Sequence, residues 1–174
     1  MDKLLLKKYA EFAVRSGVNL QKGQNLIINS PIKGDYFARL CAEVAYETGA
    51  REVVVHYNDE KFSRLYMEKT DVEVLEQVKP YLLARNMEYY EGEGGACVLH
   101  ITARDPEIYK GIAAAKVNRA TNAVMKTLKP WRDLTMSNKI RWSIVSIPSK
   151  PWTAKIFPGV DAAEAEERLW DTIF

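Results

Sequence analysis

Apolar positions along the chain alternate between two spacings, and the clearest unit lies at residues 24–59. Asn25-Leu26-Ile27-Ile28 is a short apolar run bounded by Gly23 and by Ser30-Pro31, which predicts a buried strand. From Asp35 the period becomes helical. Phe37, Leu40, Cys41, Val44, Ala45 and Thr48 fall near one face, and Gly49 is placed to end the helix in a left-handed conformation. Glu52-Val53-Val54-Val55 follows without alternation, which predicts a strand covered on both faces, as in a parallel sheet. A right-handed crossover is the expected connection.

The rest of the chain attaches to this unit. Residues 2–16 carry Leu5, Leu6, Tyr9, Ala10, Ala13 and Val14 at helical spacing, with Gly17 as the stop. Residues 59–78 predict two short helices broken at Thr70-Asp71, where a cap belongs. Lys79-Pro80 opens another helix, ended by Gly92-Glu93-Gly94-Gly95. Residues 96–101 form a third apolar strand, and Asp105-Pro106 predicts the start of a long helical region running to Lys129-Pro130. Proline must end or kink it there, so residues 131–138 resume as a second piece. Residues 141–147 give a fourth strand, stopped by Pro148, and residues 149–157 a short helical turn. The last helix spans 161–174, with Asp161 and Glu164 placed as a capping box. Trp170, Ile173 and Phe174 leave its end apolar and in need of cover, so the chain is expected to be cut short. The fold class expected is α/β: one layered domain of about four mostly parallel strands flanked by helices.

Totals narrow the function. A chain of 174 residues suits a single domain that folds without metals or disulfides. Its 25 basic and 23 acidic residues nearly cancel and form no long run of one sign, so neither nucleic acid nor a membrane surface is expected as a partner. Cys41 on a helix face and Cys97 in a strand read as reduced core thiols. Leu4-Leu5-Leu6 is too short and too closely followed by charge to be a signal or a span, which makes the cytoplasm the expected location.

Candidate chemistry is sparse. His56 and His100, the two histidines, fall late in strands with Asp59 and Asp105 just downstream, a place where open parallel sheets bind ligands. Their Val, Leu and Ile neighbours and the absence of an HExxH spacing favour ordinary buried histidines over metal ligands. Gly92, Gly94 and Gly95 precede a strand, whereas a phosphate cradle follows one. Ser30-Pro31-Ile32-Lys33-Gly34-Asp35, in the place where a phosphate would bind, reads as an ordinary helix start capped by Asp35. Ser30, Ser143 and Ser146 lack a nucleophile elbow. Arg141, Trp142, Trp152 and Phe157 form an aromatic-rich stretch best explained by packing. Asn29-Ser30 at the end of the first strand lacks the acidic cluster of a receiver domain, and no glycine-rich cofactor loop suggests a flavodoxin.

One resemblance runs through nearly the whole chain in order. Its pieces are Lys8-Tyr9-Ala10, Gly17-Val18-Asn19-Leu20-Gln21-Lys22-Gly23-Gln24, Pro31-Ile32, Phe37-Ala38-Arg39 and Ala45-Tyr46-Glu47-Thr48-Gly49-Ala50. Val53-Val54-Val55, Ala103-Arg104-Asp105-Pro106, Arg141-Trp142-Ser143-Ile144-Val145 and Pro148-Ser149-Lys150-Pro151-Trp152 continue it. Together they resemble the amino-terminal region of the thermophilic-type, leucyl aminopeptidase-like metallo-aminopeptidases. The resemblance implies a parent more than twice this length that removes amino-terminal residues from peptides with two divalent cations, Zn or Co, and pairs as a homodimer. It places the Glu, His and Asp ligands in a later domain. The chain itself is then the amino-terminal α/β domain, residues 1–174, helping to wall the active-site cavity. No catalytic, cofactor-binding or metal residue is expected in it, and it is expected to be inactive alone. The competing expectation is a free-standing α/β interaction or small-ligand-binding domain.

Overall fold

The structure, a computed structural model, describes residues 2–174. Its framework is a four-stranded sheet of β1 (Asn25–Pro31), β2 (Glu52–Asn58), β3 (Ala96–Thr102) and β4 (Trp142–Ser146) in the order β2-β1-β3-β4. All three pairings are parallel. β1, β2 and β3 run past their apolar runs, β1 continuing through Ser30 and Pro31 to pair with Tyr57 and Asn58, whereas β4 is shorter than the 141–147 expected. β1 and β3 are central and almost wholly buried. β2, expected to be covered on both faces, is instead an edge strand whose valines are only half-buried. A run of valines reports affinity for a sheet, and the number of neighbours is set by the chain order.

Successive side chains along a strand point to opposite faces. On one face, Leu26, Ile28, Cys97, Leu99 and Ile101 pack with α1 (Lys3–Glu11), α2 (Asp35–Thr48) and α9 (Ala162–Ile173). On the other, Ile27, Ala96 and Val98 meet α5 (Tyr81–Glu91) and α7 (Lys129–Met136) through Leu83, Met87 and Trp131. A third, smaller cluster of Met67, Leu75 and Ala120 lies off the sheet, where α3 (Glu60–Lys69), α4 (Val72–Leu75) and α6 (Ala114–Thr127) meet. The short helix α8 (Lys150–Ile156) leads from β4 toward α9.

Several ends differ from the sequence pattern. The first helix does not run as one α-helix to Ser16: it passes at Phe12–Gly17 into a π-helical turn, and Val18 N–H closes it onto Ala13 O at 3.0 Å. Gly49 ends α2 at φ 95°, as its position predicts. Asp35 is the first residue of α2, after a 3₁₀ turn at Ile32–Gly34, and spends its carboxylate on Arg39 at 2.7 Å instead of capping. Asp71 precedes α4 without a capping bond, whereas Asp59 caps α3 through Lys61 and Phe62 N–H. The long helix expected from Asp105 begins only at Ala114. Residues 106–111 are turns and 112–113 are irregular, with Gly111 at φ 88° supplying the break. Asp161 caps α9 as expected, but Glu164 turns to Arg168 at 2.5 Å, so the capping box is half-formed. The apolar end of α9 is covered only in part within the chain: Ile173 is half-buried and Phe174 stays 47% exposed. Trp170 is buried, and Tyr9 meets Trp170 and Phe174 edge-on at 6.4 and 5.2 Å.

Candidate functional site

In an open parallel sheet the ligand crevice forms outside the carboxyl ends of the strands where the strand order reverses. Here β1 leads outward to β2, and the chain then crosses to β3 on the other side of β1. The reversal falls between β1 and β3, so the segments after β1, β2 and β3 converge at one end of the sheet.

His56, Asn29 and His100 occupy one register row there, with β1 between the two histidines. Two strand spacings separate the imidazole-bearing backbones by about 10 Å. Both rings are half-buried, not enclosed as their apolar neighbours suggested. Burial, followed by the Arg85 charge, lowers the His56 pKa below 6.5; burial, then Arg104, does the same for His100. His56 Nδ1 is buried without a hydrogen-bond partner among the described residues. The acids downstream are engaged elsewhere: Asp59 Oδ1 accepts from Lys61 and Phe62 N–H at 2.8 and 3.2 Å, and Asp105 Oδ1 from Glu107 N–H at 2.9 Å. Among the described residues no group of three or more His, Cys, Asp or Glu side chains is gathered to hold a metal ion. The donors present therefore do not fit a catalytic cation.

The remaining sequence candidates have structural work. Gly94, at φ 85°, lets the 92–95 turn touch the loop before β1; a Cβ there would lie 2.0 Å from Gly23 O. Asn25 binds the same turn through Nδ2, which donates to Glu93 O and Gly95 O at 3.1 and 3.0 Å. Ser30 Oγ donates to Pro31 O at 3.0 Å, and Ser146 is bonded through its backbone to the Tyr9 hydroxyl. Arg141 donates to Gln24 Oε1 at 2.7 Å, and Trp142 Nε1 to Thr135 O at 3.2 Å. Trp152 and Phe157 are half-buried. Burial pushes the Cys41 thiol up to about 12 and Cys97 to about 11, values that suit neither a nucleophile nor a metal ligand near neutrality.

What sequence reasoning missed is a groove of about 570 Å³ at this end of the molecule. It lies between α3, α4, α6 and the turn segment after β3. Met67, Leu75 and Ala120 form its buried floor. Phe62 and Tyr66, stacked with ring centres 6.4 Å apart, stand on its rim at 63% and 48% exposure. Glu60 is held by Lys33 Nζ at 2.7 Å and by Asp105 N–H at 3.2 Å, and Arg64 fixes the turn by donating to Ile108 O. Arg104, which also lines the groove, is exposed and pairs with no carboxylate among the described residues. The signal available in sequence was the pair Phe62 and Tyr66, four residues apart and so on one face of α3.

The architecture is thus that of an α/β domain with an open parallel sheet, a groove beside the carboxyl ends of β2 and β3 and, among the described residues, no gathered set of metal ligands. By sequence the chain belongs to the thermophilic metalloprotease (M29) family, whose profile matches residues 2–174. It is 36% identical over 169 residues to Aminopeptidase 2 of Geobacillus stearothermophilus, covering 97% of this chain and 40% of that protein. With Aminopeptidase T of Thermus thermophilus it shares 35% identity over 174 residues, 97% of this chain and 41% of the relative. The solved structure of wild-type AmpT from Thermus thermophilus superposes with a TM-score of 0.90 at 34% identity, over 98% of this chain and 43% of that one. The chain therefore spans about 40% of the length of the curated relatives it matches.

Proposed function

We propose that residues 1–174 are the amino-terminal α/β domain of a metal-dependent aminopeptidase that removes amino-terminal residues from peptides. One observation carries this: relatives named as aminopeptidases match the chain almost end to end, yet the chain accounts for only 40% of their length. Metal-assisted peptide hydrolysis requires carboxylates and imidazoles clustered around cations, an acidified water and a nearby base. That no such cluster is gathered among the described residues supports, within this proposal, the reading that the parent's two divalent cations, Zn or Co, are held by residues outside this chain. The domain contributes a wall of the cavity through which peptides reach them. By itself it has no peptidase activity.

The parent works as a homodimer in the cytoplasm, without nucleic-acid or membrane partners. The near balance of charge along the chain supports the latter part.

The test is made on the longer polypeptide that carries this segment. Stripped with a chelator, it should lose turnover of leucine amide and regain it on addition of Zn²⁺ or Co²⁺. Turnover that is indifferent to chelation, or a gene encoding only these residues, would replace this reading with that of a free-standing ligand-binding domain.

A further inference from the structure

We propose that the groove between α3, α4, α6 and the turn segment after β3 binds short peptides, seating an apolar side chain against its aromatic wall and the terminal carboxylate on Arg104. The proposal rests on the reading of the chain as part of a peptidase, which supplies the class of ligand. Three observations support it.

Position comes first. The groove is lined by Asn58, the last residue of β2, and by Arg104 just after β3, the strands on either side of the central β1, at the carboxyl end where doubly wound sheets take their ligands. Its volume of about 570 Å³ falls within the range of roughly 300–1,000 Å³ usual for small-ligand sites.

Charge is the second. Of the side chains lining the groove only Glu60 and Arg104 are charged. Glu60 is neutralised by Lys33 at 2.7 Å, which leaves the Arg104 guanidinium as the uncompensated charge. A planar guanidinium presents two parallel N–H donors that match a carboxylate. By contrast, the larger cleft beside α6, of about 700 Å³, has its arginine already engaged: Arg119 donates to both oxygens of Glu76 at 2.9 and 2.6 Å.

Rigidity is the third. The floor belongs to a buried apolar cluster, Asp59 fixes the start of α3, and Arg64 ties the turn carrying Ile108 to that helix. A pocket already in shape loses less entropy on binding.

The experiment is a titration of the isotopically labelled 174-residue chain, without added metal, with trileucine and separately with trileucine amide. Amide-proton shifts should saturate and concentrate at Tyr66, Tyr109 and Val124. The free acid should bind about tenfold more tightly than the amide, the worth of one charge-assisted bidentate contact. Arg104→Gln should abolish that preference while leaving the circular dichroism spectrum unchanged, and Arg104→Lys should keep part of it. Equal binding of acid and amide, shifts elsewhere, or no saturation by roughly 10 mM would overturn the proposal. Because this titration involves neither cations nor hydrolysis, its failure leaves the metal-dependent turnover of the longer enzyme standing. Loss of that turnover would in turn leave the titration unaffected.

Discussion

Protonation of two imidazoles is disfavoured by where they sit. The native pKa values of His56 and His100 are lowered below 6.5, first by burial and then by Arg85 and Arg104 respectively. Between each native value and 6.5 the unfolded chain binds more protons than the native one. Stability is then complete above about pH 6.5 and falls as pH drops toward the native values, below which the loss levels off. The exposed carboxylates of Glu68 and Glu76, held below 4.5 by Lys69 and Arg119, act in a lower window. Urea midpoints should therefore decline between about pH 7 and pH 5. The variant carrying His56→Gln and His100→Gln should flatten that decline; an unchanged slope would assign it to other groups. At Gly94 the cost is steric. Ala there would need φ 85° and a Cβ 2.0 Å from Gly23 O, so Gly94→Ala should destabilise by on the order of 2–3 kcal/mol in chemical denaturation. A loss below about 0.5 kcal/mol would show that the turn relaxes.

Among elements, one side chain joins three. Tyr9 on α1 stacks on Phe37 of α2 at 5.1 Å, meets Trp170 of α9 edge-on, and exchanges bonds with β4: its hydroxyl donates to Ser146 O at 3.1 Å and accepts from Ser146 N–H at 3.2 Å. Tyr9→Phe keeps the rings and strands both backbone groups of Ser146. It should cost about 1–3 kcal/mol and speed amide exchange at Ser146. Unchanged exchange there would show that water replaces the hydroxyl.

This level also shows what the sequence made legible. The β1–α2–β2 unit could be read because its signals are local: apolar runs, a change of period and a glycine at the stop. The 106–113 stretch mimics a helix because Ile108 and Ile112 sit at helical spacing with α6, although in the fold Ile108 lines the groove and Ile112 packs on the third cluster, both from outside any helix. The π-helical turn at Phe12–Gly17 leaves the apolar periodicity almost intact, so nothing in the pattern announced it. The edge position of β2 depends on where β3 inserts, far along the chain. The groove was hidden for the same reason, since its walls come from residues near 60, 105 and 120.

At the scale of the molecule, the proposal is a division of labour in which these residues would provide a scaffold and a peptide-facing groove and the catalytic cations would be held elsewhere. Two sheet faces are filled by helices, while the carboxyl-end row of His56, Asn29 and His100 stays half-buried and the groove opens beside it. Ile144, in register with His100 on edge strand β4, is 57% exposed. The decisive measurement is calorimetric titration of Zn²⁺ and Co²⁺ into the purified 174-residue chain near neutral pH, followed by a leucine amide assay of the same sample. The account predicts no saturable binding tighter than about 1 μM and no released amine. Two cations bound per chain, with turnover that a chelator abolishes, would contradict it.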